Sequence, residues 1–223
     1  MRKLLLKMEK QRFAMVSQLQ SRKILTSPTV IRAMQKVPRH LFVPVKIRKY
    51  AYEDSPQQIS HKQTISAPHM HAMMCEYLQI EPGQKILEVG TGSGYHSALL
   101  AEIVGERGKI ISIERIPHLA QKATKILRNL HYDNIEVIVG DGTCGYHPGS
   151  PYDRILVTAA GPQIPNSLIQ QLSEKRGIMC IPTGNRRWEQ ELLVLMKSEH
   201  SIKRKSVSKV IFVPLIGKFG FKE

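Results

Sequence analysis

Cysteine is sparse in this chain and forms no recognisable pattern. Cys75, Cys144 and Cys180 are an odd, widely spaced set without a Cys-x-x-Cys pair, which argues against a disulfide framework and against a structural zinc site. Cys180 sits in the apolar run Ile178–Ile181 and reads as a buried, inert thiol. Long hydrophobic runs are also missing: none approaches the roughly 18 residues of a membrane span. The opening Met1-Arg2-Lys3 is followed by only Leu4, Leu5 and Leu6 before Lys7. A secretory signal requires an apolar stretch of about 7–15 residues, so the expectation is a cytoplasmic protein. Aromatic residues are few, and none alternates with the basic residues as on a platform for stacking single strands. Acids are nearly absent from the first fifty residues, which hold 13 Lys/Arg against Glu9 alone.

That segment therefore carries +12 of a total formal charge of +15. A second small cluster is Lys203-Arg204-Lys205. A basic arm of this kind suits nucleic acid, an anionic surface or an acidic substrate, although a solvated helical face explains it with less. The hydrophobic share of 42% and charged share of 23% are those of a folded soluble domain, not of a disordered, collagenous or coiled-coil chain. At 223 residues, one domain with an extension is expected: residues 1–82 as a helical extension and substrate-side connector, residues 83–223 as an α/β core.

The apolar positions Leu4, Met8, Phe13, Val16 and Leu19 predict an amphipathic helix over residues 4–20. Thr26-Ser27-Pro28 starts a second helix through Lys36, which Val37-Pro38 should end. Residues 38–68 read as an irregular, ordered connector, with a helix from about His69 to Leu78. Thereafter strands and helices alternate: Lys85–Val89, Tyr95–Val104, Lys109–Ile113, Pro117–Leu130, Ile135–Val139, Arg154–Val157, Asn166–Leu172, Gly177–Ile181. This is the pattern of βαβ units in a doubly wound, mostly parallel sheet. Glu191–Met196 and Lys209–Val213 have no convincing helix between them and predict an antiparallel hairpin at one edge.

The stretch Lys85–Tyr95 carries the chemistry. An apolar strand runs into Gly90-Thr91-Gly92-Ser93-Gly94 and then a helix, and glycines there let the backbone turn and approach a ligand closely. The spacing is Gly-x-Gly-x-Gly, whereas a dinucleotide site has Gly-x-Gly-x-x-Gly. Glu88 precedes the loop, and a carboxylate at its mouth would repel a pyrophosphate and favour a cation. Glu114, followed by Arg115, ends the next strand, where a carboxylate accepts both hydroxyls of a ribose. Asp141, before Gly142, ends the third and is placed to accept from an adenine amino group. Each acid alone could be a turn or cap residue. Together they describe a nucleoside with a positive charge, S-adenosylmethionine.

The chain resembles the protein-L-isoaspartate (D-aspartate) O-methyltransferase family over nearly its whole length. The resemblance rests on Val37–Pro44, Ala51–Asp54, Gln63–Met70, Glu88–Tyr95, Gly140–Gly142, Tyr152–Ala160 and Phe212–Gly217. It implies a Rossmann-like methyltransferase that esterifies the free α-carboxyl of isoaspartyl residues in damaged proteins. It also implies Ser66 as the active-site hydroxyl, with Ile59, Ser60, Thr64, His69 and Val213 on the acceptor side. No metal is expected: His69 and His71, two apart on a helix, face different ways and make a poor ligand pair. Isoaspartyl proteins and peptides are the expected partners, and a monomer the expected form. The alternatives are a related methyltransferase acting on RNA through the basic arm, and a catalytically weakened paralogue. Against the first stands the absence of an Asn/Asp-Pro-Pro-Tyr/Phe segment. One departure is clear: the family's Ile-Gly-x-Gly-Gln-Thr reads Ile59-Ser60-His61-Lys62-Gln63-Thr64 here. The lost glycines could narrow the acceptor pocket, or Lys62 could draw in a carboxylate.

Overall fold

The computed structural model describes residues 2–223, with side chains from residue 6 onward. Helices α1 (Arg2–Ser21) and α2 (Pro28–Lys36) open the chain, followed by two 3-10 turns. A short hairpin, β1 (Gln57–Gln58) and β2 (Thr64–Ile65), precedes α3 (Pro68–Leu78). The α/β region then runs β3 (Lys85–Val89), α4 (Tyr95–Val104), β4 (Lys109–Glu114), α5 (Pro117–Asn129), β5 (Ile135–Val139), β6 (Arg154–Val157), α6 (Asn166–Gln171), β7 (Gly177–Gly184), β8 (Gln190–Ser198) and β9 (Ser201–Val210).

The seven-stranded sheet has the order β5-β4-β3-β6-β7-β8-β9. Strands β3 to β7 pair in parallel, and β8 and β9 add antiparallel. The chain winds outward from β3 to β5 and returns to β6, so the order reverses between β3 and β6. Open α/β sheets bind ligands at the carboxyl ends beside such a reversal. The central strands are apolar on both faces because helices cover both. Ile86 packs with α3 and α4, while Leu87 and Val89 pack with Ile155, Val157 and Leu168 on the other side.

The helical extension shares the first of these cores. Met8, Met15, Val16 and Leu19 of α1 are buried in the same cluster as Leu99, Leu100 and Ile103 of α4. Phe13, expected on that apolar face, is instead 42% exposed; Met15 takes the inward position. The side chain of Leu4, also expected there, lies outside the described residues. At α2 the hydroxyl of Ser27 makes no capping bond. The Glu76 carboxylate of α3 accepts from the backbone N–H groups of Thr26 and Ser27 instead, at 2.9 and 2.7 Å.

The C-terminal hairpin forms, but its second strand is Ser201–Val210 rather than Lys209–Val213. As an edge strand it exposes residues 201–206 on both faces, so no apolar alternation marks it in the sequence. Its Lys203, Arg204 and Lys205 discourage edge-to-edge pairing with another chain. Phe212 and Val213 leave the sheet and cross toward the end of β6, where Ala160 N–H donates to the Val213 carbonyl at 2.8 Å. No helix among the described residues is long and apolar enough to cross a membrane.

Candidate active site

Two concavities meet above the carboxyl ends of β3, β4 and β6. The first, about 350 Å³, is floored by Val89–Ser93, walled by Ile113–Ile116 and roofed by Thr64–Ser66 and Pro214–Ile216. The second is an open groove of about 900 Å³ between His69, Met70 and the Lys209–Val213 segment. Thr64, Ser66, Thr158 and Val213 line both. Ser66 therefore stands where the smaller cavity and the larger groove meet.

The floor depends on backbone that side chains would spoil. Gly90 and Gly92 have φ of +99° and +54°, the region where an L side chain is strained. A Cβ on Gly90 would also strike the Thr158 hydroxyl, which donates to the Gly90 carbonyl at 2.8 Å. Glu114 is the clamp on the other side. Its Oε2 accepts from Gly92 N–H at 2.8 Å and its Oε1 from Ile116 N–H at 3.0 Å. Each oxygen accepts one bond and so retains acceptor capacity, and Glu114 lines the cavity, which suits the two hydroxyls of a ribose. Thr91, Gly92, Ser93, Arg115 and Gly142 line the same cavity, and Gly94 closes the loop from behind.

Two of the three acids expected to face the ligand do not. Glu88 is fully buried on the α4 face of β3, where the alternation of the strand sends it. Its Oε2 accepts from Ser97 and, at 2.6 Å, from Ser112, whose hydroxyl also pairs with Thr91. Glu88 thus ties the loop from beneath. Burial raises its pKa to about 7 against the opposing hydrogen bonds from Ser112 and Ser97. Asp141 caps the 3-10 turn Gly142–Cys144: its Oδ1 takes Thr143 N–H and its Oδ2 takes Lys218 N–H at 2.7 Å. Burial alone would raise its pKa, but these donors hold it below the usual carboxylate range. Arg115 pairs with Glu223 at 2.8 Å, so the chain's last residues fold over this end of the cavity.

Ser66 precedes α3, yet the helix is capped at Ala67 without a side-chain bond. The hydroxyl of Ser66 makes no hydrogen bond within the described residues, while its carbonyl accepts from Arg39 Nη2 at 2.7 Å. Arg39 is completely buried, bridges to the Ala51 carbonyl at 2.8 Å and lies 4.9 Å from the Tyr95 ring. It joins the Ser66 loop to the residue after Gly94. Nothing in the spacing of the sequence signalled Arg39 or His71 as part of this site. His71 lines the cavity, and among the described residues neither ring nitrogen has a hydrogen-bond partner; burial, then His96 and Arg39 nearby, hold its pKa well below the usual histidine range. His69 points the other way, into the groove. No group of three or more His, Cys, Asp or Glu among the described residues could hold a metal ion.

Residues 10–220 match the family described as Protein-L-isoaspartate(D-aspartate) O-methyltransferase (PCMT). The chain belongs to this family. It is 55% identical over 197 residues to protein-L-isoaspartate O-methyltransferase 2 of Archaeoglobus fulgidus, covering 88% of this chain and 89% of that one. The corresponding protein of Methanopyrus kandleri is 50% identical over 210 residues, covering 94% and 92%. Among solved structures, a protein-L-isoaspartate O-methyltransferase superposes with a TM-score of 0.84 at 26% identity, over 94% of this chain and 67% of that one. A Plasmodium falciparum chain described as a protein-L-isoaspartate O-methyltransferase, in complex with S-adenosyl-L-homocysteine, gives 0.80 at 26% identity over 92% and 98%.

For this PCMT-family chain the altered hairpin has a definite geometry. Ile59 N–H donates to the Gln63 carbonyl and Gln63 N–H to the Ser60 carbonyl, both at 3.0 Å. His61 and Lys62 at the tip have φ of +55° and +58°. Ile59 and Ser60, expected to touch the acceptor, line neither concavity; the Ile59 side chain lies beside Gly92, and Ser60 sits in the turn between β1 and β2. Lys62 is exposed at the tip and also lines neither. The residues that replace the glycines, Ser60 and Lys62, therefore put no side chain into either concavity.

Proposed function

We infer that this chain transfers the methyl group of S-adenosylmethionine to the free α-carboxylate of L-isoaspartyl residues in damaged proteins, the step that begins their repair. The observation that carries the reading is the shared wall: Ser66, with its hydroxyl uncommitted, lines both the smaller cavity and the groove. The cavity fits a nucleoside cofactor. Its glycine floor admits close approach, Glu114 offers paired acceptors, and His71 presents an unpartnered neutral ring. Glu88 and Asp141 support the loop and the tail from outside it. When bound, the cofactor supplies an electrophilic methyl on a sulfonium.

The acceptor carboxylate is ionised near pH 7, so no general base is needed. The protein has to hold one carboxylate oxygen in line and keep water out. Ser66 donates its hydroxyl to the acceptor carboxylate, and Arg39 fixes the Ser66 backbone from behind. Thr64 and Val213 narrow the passage between the concavities. The helical extension and the α/β core act as one domain, because the acceptor loop is anchored by the first and the cofactor loop by the second.

The test is transfer of radiolabelled methyl from S-adenosylmethionine to two peptides identical except for one isoaspartyl or normal aspartyl linkage. Labelling of the isoaspartyl peptide alone, released by mild base as an ester is, supports the reading. Labelling of neither peptide while the cofactor still binds overturns it.

A further inference from the structure

Asp54 lies in the connector, away from the cofactor cavity, yet three donors converge on it. His69 gives both its backbone N–H and its ring Nδ1 to Asp54 Oδ1, at 2.9 and 2.8 Å. Arg22, just past the end of α1, gives Nη1 to Oδ2 at 2.6 Å. The other ring nitrogen of His69, Nε2, makes no hydrogen bond within the described residues, and His69 lines the groove beside Ser66 and Thr64. Capping α3 requires only the backbone bond. The ring bond and the arginine do something further.

We propose that Asp54 is a positioning residue that fixes the tautomer and orientation of His69, so that Nε2 accepts a main-chain N–H of the acceptor peptide in the groove. The logic is that of a second carboxylate behind an imidazole. Burial would raise the pKa of Asp54, but the His69 backbone and ring and Arg22 together hold it below the usual carboxylate range. An ionised carboxylate only accepts, so whenever the His69 ring carries a single proton that proton sits on Nδ1, facing Asp54, and the lone pair on Nε2. An isoaspartyl linkage adds one methylene to the main chain, displacing the following N–H by roughly one C–C bond of 1.5 Å. An acceptor held rigidly a few residues from Ser66 can read that displacement, whereas a freely rotating ring cannot. Arg22 holds Asp54 and so links the end of α1 to acceptor recognition.

This inference rests on the groove being the acceptor site, and the experiment separates the two. Nitrogen-15 NMR of the histidine rings in the intact protein reports the His69 tautomer directly. The expected result is Nδ1–H in the wild type and loss of that form in Asp54→Asn, whose amide can donate to Nδ1 and push the proton to Nε2. A wild-type ring with a proton on Nε2, as the Nε2–H tautomer or as imidazolium, overturns the proposal whatever the enzyme methylates. Peptide affinity is then measured calorimetrically with S-adenosylhomocysteine present. The probes are isoaspartyl peptides in which each main-chain N–H near the linkage is replaced in turn by an ester oxygen. One ester should bind the wild type five- to twentyfold more weakly than its amide parent, and the same pair should bind His69→Ala and Asp54→Asn equally. Cofactor affinity should not change in either variant. If every ester gives the same ratio in wild type and variants, His69 reads no N–H and the proposal fails. A wild type that binds the cofactor but no isoaspartyl peptide sinks the acceptor reading itself.

Discussion

Lys62→Gly should stabilise this protein, although it removes a side chain and adds none. Lys62 and His61 form the tip of the β1–β2 hairpin with φ of +58° and +55°, the arrangement of a turn that favours glycine or asparagine. An ordinary L residue in that region costs roughly 1–2 kcal/mol. Glycine returns part of the gain by making the unfolded chain more flexible, about 0.5–1 kcal/mol. Lys62 is exposed and forms no salt bridge among the described residues, so little else is lost. The net expectation is about 0.5–1 kcal/mol of stabilisation, or a rise in Tm of about 1–4 °C for a chain of this size. Chemical denaturation should show a higher midpoint with unchanged slope. Lys62→Ala is the control: it shortens the side chain but keeps the Cβ, so its midpoint should stay near that of the wild type. A glycine variant no more stable than the alanine variant would show that residue 62 is not in the left-handed region. Because Lys62 lines neither concavity, KM for an isoaspartyl peptide should stay within about twofold of the wild type.

Three further outcomes are expected. Glu88→Gln should stabilise the protein increasingly as pH rises from about 4.5 to about 7. A carboxyl whose pKa is raised in the folded state binds more protons there than when unfolded, so its contribution is full at low pH and is lost through that window. The difference should level off on the order of 3 kcal/mol above pH 7, and equal wild-type and variant stabilities at pH 5 and pH 8 would contradict the burial argument. Glu114→Ala should weaken S-adenosylmethionine binding by on the order of 1–3 kcal/mol through lost charged hydrogen bonds; unchanged affinity by calorimetry would move the ribose elsewhere. Ser66→Ala should lower kcat with cofactor affinity nearly intact, and the reverse pattern would place Ser66 on the cofactor.

The parallel core was legible because β3, β4, β6 and β7 are short, mostly apolar and β-branched runs that are largely buried, and β5, though at the other edge, keeps the β-branched run Ile135–Val139. β3, α4, β5 and β6 fall where the periodicity places them. β9 was not, since a strand at an open edge buries little and its pairing with β8 is written in backbone hydrogen bonds rather than in side chains. The acids divide in the same way. Glu114 is the last residue of its strand and projects where the strand end suggests. Glu88 stands two residues before Gly90, and the pleat sends it beneath the loop, a direction that a motif read as a string does not contain. Asp141 is drawn off by a tail 77 residues further along the chain, and no local pattern announces such a contact.

The same distinction explains why the hairpin departure is less damaging than its residues suggest. A glycine in a sequence motif stands for either of two needs: freedom of φ, or absence of a side chain where a ligand passes. Gly90 meets the first need and is held to glycine by a further one, because Thr158 fills the space a Cβ would take. The turn at residues 60–63 faces solvent at its tip, so only the first need applies there, and Lys62 meets it at a small cost in backbone strain. A substitution that would disrupt the floor of the cavity is thus accommodated at the hairpin tip, outside both concavities, and the proposed acceptor recognition rests on groups that do line the groove, Ser66 and the Asp54-held ring of His69.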